Sequence, residues 1–162
     1  MELHLFEHAG ELVRAMAAER PGGGDTAAVG VRFRSHRRGV KVWFGPEKPT
    51  RFHYEAQVLP ARLLDRPPAE GLAAIEVGFH AEHGDDRRNR AVVDHLDHHR
   101  STWTSTLGEE AELGPFIGND NWARLSEVWP GEDLDDPDLA FELAGRLVDY
   151  VEAVEPLLDS LE

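Results

Sequence analysis

With 162 residues and no cysteine, the chain is long enough to bury a core as one domain, and disulfide scaffolds, thiol catalysis, iron–sulfur clusters and thiolate zinc sites are excluded. Its formal net charge of -14 argues against non-specific nucleic-acid binding. The excess is uneven: residues 1–107 hold 15 acidic and 15 basic side chains, whereas residues 108–162 hold 16 acids against Arg124 and Arg146.

In chain order, Leu5, Ala9, Leu12, Val13 and Met16 fall at helical spacing, and Pro21-Gly22-Gly23-Gly24-Asp25 ends this amphipathic helix in a linker. No Gly-Lys-Ser/Thr follows the glycines, so they do not form a phosphate-cradling loop. Val29, Val31 and Phe33 alternate with polar positions, and Val40, Val42 and Phe44 do so after His36-Arg37-Arg38-Gly39, which predicts a hairpin. Beyond the turn Gly45-Pro46-Glu47-Lys48-Pro49, Phe52, Tyr54, Ala56 and Val58 form the apolar side of a third strand. Residues 62–71 read as a loop or short helical turn, and Ile75, Val77, Phe79 and Ala81 mark a fourth strand.

Gly84-Asp85-Asp86 breaks that strand, with an aspartate placed to cap a new helix. Val92, Leu96, His99, Trp103 and Leu107 make one helical stripe, and Gly108 ends it. Two strands follow, at residues 111–117 and 122–129, joined through Gly118-Asn119-Asp120-Asn121; Gly114-Pro115 marks the first as an edge strand. Asp136-Pro137 opens a last helix carrying Leu139, Leu143, Leu147, Tyr150, Val154 and Leu158, with an interruption expected near Pro156. Strands that run in succession predict a single α+β domain over residues 1–162, with a mainly antiparallel sheet of about six strands packed on three helices.

If the first four strands form a meander, the sheet face away from the helices carries Arg32, Arg34, Lys41, Trp43, Arg51, His53, Glu55, Gln57, Glu76, His80 and Glu82. Arginines beside tryptophan suit an anionic ligand or a protein partner, which makes Arg32, Arg34, Lys41, Trp43, Arg51, His53, Glu55 and Gln57 the candidate binding surface. Imidazoles beside carboxylates suit a divalent metal or proton transfer, with His53, Glu55, Glu76 and His80 the candidate ligands. The bland alternative is a face that is polar because it is wet. His4-Leu5-Phe6-Glu7-His8 fits an H-x-x-E-H zinc pattern but sits at the start of the chain. Asp94, His95, His98 and His99 form a histidine-rich helix segment, a solvated face unless a metal or a pH-sensitive interface uses it. Glu55-Ala56-Gln57 has the outline of a nuclease-type acidic strand without its lysine.

The pattern of residues 75–129 (Asn89 opening a helix, Leu96, the Leu107-Gly108 stop, then Trp122 and Arg124 on a strand) resembles the domain of unknown function that ends some bacterial restriction-nuclease-like proteins. That resemblance implies an accessory or recognition role and supplies no catalytic residues. The expectation is therefore a small bacterial cytoplasmic binding or accessory module and homodimer, with no leader, no membrane span and no cofactor required. The alternative is a divalent-metal-dependent hydrolase or nuclease-like enzyme using His53, Glu55, Glu76 and His80. A third reading has the acidic C-terminal region mimic an anionic partner or dock on a basic one.

Overall fold

The computed structural model describes residues 2–18, 30–46, 48 and 50–161. The expected linker at residues 21–25, Val29, Glu47 and Pro49 lie outside them. Helix α1 (Glu2–Ala18) is followed by strands β1 (Val31–His36), β2 (Gly39–Phe44), β3 (Phe52–Val58) and β4 (Ala73–Ala81), then by helices α2 (Asp86–His98) and α3 (Arg100–Leu107). Strands β5 (Glu112–Phe116) and β6 (Asn119–Glu132) and helix α4 (Leu139–Asp159) complete the chain, and Ala61–Leu63 form a short 3-10 turn.

The six strands make one antiparallel sheet in the order β1-β2-β3-β4-β6-β5. The fold is α+β, as the alternation predicts, with β1 to β4 a meander and the Gly114-Pro115 strand at an edge. Val40, Val42, Tyr54, Ala56, Ile75, Val77, Phe79, Ala81 and Leu125 all point to one face, where they are buried against the helices. Among the described residues, no helix is long and apolar enough to cross a membrane.

The structure has four helices where three were expected, because the central stripe is broken at His99 (φ -105, ψ 22). The Leu96 carbonyl, which a continuous helix would offer to residue 100, instead accepts from the His99 amide and from the Trp103 indole at 2.7 Å. Asp85 caps α2 through the Arg87 amide, and Gly108, at φ 83, ends α3. Helix α4 begins at Leu139 and not at Pro137, since Asp136 spends its side chain on the Asp138 amide in a preceding turn. It also runs through Pro156 without interruption, held by the buried Val154 and Leu157 on either side. The residues 118–121 expected as a link divide differently: Gly118 turns at φ 88 and Asn119 already begins β6.

Gly78, in the middle of β4, lies at φ 155, and a Cβ there would meet the Leu125 carbonyl oxygen and the Ser126 Cα at 2.5 Å. Backbone atoms cannot yield as a side chain can. Gly78→Ala is therefore expected to destabilise the protein by about 2 kcal/mol, read from its urea midpoint.

Candidate functional site

The polar sheet face is divided. His53, Glu55, Glu76 and His80 on β3 and β4 are buried, His80 and Glu76 at 0% exposure, whereas Arg32 and Arg34 on β1 are exposed, so the solvated-face alternative fails for the β3–β4 part alone. Strand alternation puts them there: His53 and Glu55 share a face of β3, and Glu76, His80 and Glu82 share the same face of β4 and its exit. Register then joins them, since His53 pairs with His80, Gln57 with Glu76, and Glu55 with Gly78. With no side chain at Gly78, the Glu55 carboxylate has room to reach His80 across the strands. Phe116 covers this end, its ring centroid 4.6 Å from that of His80, and Trp122 packs edge-on behind it at 5.3 Å.

The outer nitrogens of both imidazoles are already committed. His53 Nδ1 lies 2.8 Å from the Thr50 carbonyl, which only accepts, so this nitrogen carries a proton and the Nε2 side is left for other partners. His80 Nε2 donates to Glu76 Oε2 at 2.9 Å. Glu76 is held in turn by the Gln57 amide and the Ser126 hydroxyl, each at 2.7 Å, and Ser126 receives the Arg124 guanidinium at 2.9 Å. His80 Nδ1 remains, fully buried and without a hydrogen-bond partner.

The two remaining nitrogens face the same pair of carboxylates. His53 Nε2 is 2.9 Å from Glu82 Oε2 and 3.5 Å from Glu55 Oε1, while His80 Nδ1 is 3.3 Å and 3.7 Å from those oxygens. Donor atoms of His53, Glu55, His80 and Glu82 all lie within 4.8 Å of one another. Ligands at about 2.1 Å around a tetrahedral ion stand about 3.4 Å apart. The four cross-distances bracket that edge.

Buried charge in the cluster is balanced from within. Burial alone would lower the His80 pKa, but the charge of Glu76 and the neighbouring Glu55 and Glu82 raise it well above the usual imidazole value. His53 is likewise raised by Glu55 and Glu82 against its burial. Burial would raise the carboxylates; the histidines instead hold Glu55 and Glu76 below their usual range and Glu82 at about 2, with Lys41, 3.8 Å from Glu55, adding to the effect there. Two imidazoliums and Lys41 thus offset three carboxylates. A divalent ion replacing the two imidazole protons would leave that balance unchanged.

The predicted residues divide accordingly. Three of the four predicted metal ligands, His53, Glu55 and His80, converge, but Glu82 completes the set and Glu76 stands behind His80 as its orienting partner. Gln57 belongs to that outer layer. Trp43 is not an exposed platform: it is 3% exposed, with its indole donating to the Pro46 carbonyl. Arg32, Arg34 and Arg51 are exposed; Arg32 donates to the Gly45 carbonyl, and the Arg51 carbonyl accepts from the Glu82 amide at 2.8 Å. His4, Glu7 and His8 are exposed on α1, and among the described residues the only group spaced for a metal is the one above. His95 is bonded to the Leu157 carbonyl and to Ser160 and so joins α2 to the end of α4, whereas His98 is exposed.

Sequence reasoning missed Thr50, Ser126 and the role of Arg124. It also missed a legible signal: His53-Tyr54-Glu55 and His80-Ala81-Glu82 are the same His-x-Glu triplet, once per strand. The register sets the two histidines opposite each other and sends the glutamates to either side. No family model matches the chain, and no curated protein or solved structure matches it.

Proposed function

We propose that this protein is a binding or accessory module built around a divalent transition-metal ion held by His53 Nε2, His80 Nδ1, Glu55 and Glu82. The observation that carries the reading is His80 Nδ1, a buried nitrogen with no hydrogen-bond partner, aimed at two carboxylates, with its ring fixed from behind by Glu76. This nitrogen is held only by ion pairs at 3.3 Å and 3.7 Å, and a metal ion between it and the carboxylates would give it a direct bond. Two imidazoles with two carboxylates suit zinc, iron(II) or manganese.

Four protein donors fill a tetrahedral shell, whereas catalytic zinc sites keep a position for water. Three of these four residues are also under 10% exposed. Both features favour a structural or regulatory ion over the hydrolase alternative, and an accessory role agrees with what the resemblance of residues 75–129 implies.

Equilibrium dialysis against Zn²⁺ and Mn²⁺ with elemental analysis tests the reading: one ion per chain in the wild type and none in His80→Ala. Glu76→Gln retains the shape but weakens the hold on His80, and is expected to lower affinity by about 10- to 100-fold. Equal metal content in the wild type and His80→Ala would refute the assignment.

A further inference from the structure

We infer that the open edge of β6 over residues 127–132 is a docking site for a basic, extended segment of another protein, which adds to the sheet as a strand. The inference is independent of the metal. Strand β5 pairs with β6 only as far as Ser126, whereas β4 follows β6 to Glu132. Beyond Ser126, β6 therefore has a strand on one side and, among the described residues, none on the other. An unpaired edge of this kind is a template for an incoming strand.

A groove of about 620 Å³ lies at this edge, lined by Val128, Trp129 and Pro130 and by Glu110, Glu112, Glu127, Glu132 and Glu142. Of the three large apolar side chains exposed among the described residues, Val128, at 38%, lines this groove. Pro130 has no amide hydrogen to give, so pairing is confined to the residues around it and the edge does not recruit strands indiscriminately.

Charge names the occupant. Residues 108–162 contain only two basic side chains, and both are already engaged: Arg124 with Glu112 and Ser126, Arg146 with Glu127 and Asp149. Glu110, Glu132 and Glu142 have no ion pair with any described residue. Partial burial and the repulsion of Glu142 and Asp136 already raise the Glu132 pKa. The cations that would relieve this rim must come from outside, and a strand alternating lysine with an apolar residue carries its lysines on one face and its apolar side chains on the other. A second copy is a poorer occupant: its basic edge, β1 with Arg32 and Arg34, would meet β6 head to tail, which does not close into a dimer.

The test is calorimetric titration with an acetylated, amidated heptapeptide of alternating lysine and valine. Its controls are the same peptide N-methylated on alternate residues, a glutamate-for-lysine version, and Ca²⁺ alone. We expect saturable one-to-one binding, weakened at least tenfold by the surface pair Glu132→Gln/Glu142→Gln and at least tenfold by N-methylation, with slowed amide exchange at Glu127–Trp129 confirming the location. Equal binding of the N-methylated peptide would overturn strand addition, and equal binding to the double variant would overturn the site. Saturation by Ca²⁺ alone at the same rim, or peptide-independent self-association, would replace the protein partner with an ion or a second copy.

Discussion

Zn²⁺ or Mn²⁺ at about a thousand times its dissociation constant is expected to stabilise the protein by about 4 kcal/mol, because the ion binds the folded chain and finds no assembled site in the unfolded one. For a domain of this size that raises the melting temperature by about 8–16 °C. The double variant His53→Ala/His80→Ala removes both nitrogen donors and should show no such rise, whichever ion is used. The variant will start from a different stability, since it also removes the partners of three buried or half-buried carboxylates. The comparison is therefore the metal-dependent shift within each protein. A rise of equal size in the double variant would place the ion elsewhere.

The second expectation is a reversal in how stability depends on pH. Without metal, His53 and His80 have raised pKa values, so the folded chain holds protons that the unfolded chain releases near its ordinary imidazole pKa of about 6.5. Their contribution is fully present below that value and is lost as pH rises through the folded values, at up to about 2.7 kcal/mol per pH unit for two protons. The lowered carboxylates Glu55, Glu76 and Glu82 act in the opposite direction, their contribution being present above about pH 4.5 and lost on acidification. Metal-free protein should therefore be most stable between about pH 4.5 and 6.5. With metal bound the histidines are neutral when folded, so the unfolded chain takes up the protons and stability rises with pH through about 6.5. Urea titrations at pH 5.5, 6.5 and 7.5, in chelator and in saturating metal, read both slopes. Parallel slopes would mean that no ion replaces the imidazole protons.

Much of this molecule was legible in the sequence because alternation speaks directly about faces. The period-two runs at Val31–Phe44, Phe52–Val58 and Ile75–Ala81 assigned the helix-facing side chains of β2, β3 and β4 correctly, and the β1–β2 hairpin was read from its turn, while the meander on to β4 entered only as a condition. Local capping was partly legible: Asp85 and Gly108 act as expected, whereas Asp136-Pro137 does not, because the aspartate closes a turn before the helix begins. The break at His99 was hidden, since the apolar spacing continues across it and its cause is an indole that caps from seven residues away.

The site was half legible for a related reason. Alternation put His53, Glu55, Glu76 and His80 on one face, but whether that face is wet depends on what folds over it, and Phe116 arrives from β5. Which carboxylates meet the imidazoles depends on register. With His53 opposite His80, Glu82 reaches both rings from one side and Glu55 from the other, and Glu76 is left behind His80. Trp43 failed as a ligand platform because its indole found the Pro46 carbonyl within its own turn. The charge asymmetry was read from composition, but its place in the sheet was not. The basic strand β1 lies at one edge, and the acidic rim lies along β6 and β5 at the other.

The most direct test of the metal centre is anomalous diffraction from crystals grown with stoichiometric Zn²⁺, collected on both sides of the zinc absorption edge. A single peak about 2 Å from His53 Nε2, His80 Nδ1 and one oxygen each of Glu55 and Glu82, with Glu76 still bonded to His80 Nε2, is the expected result. A peak at His4 and His8 or among His95, His98 and His99, with none between β3 and β4, would contradict it and leave the cluster as an ion-pair network.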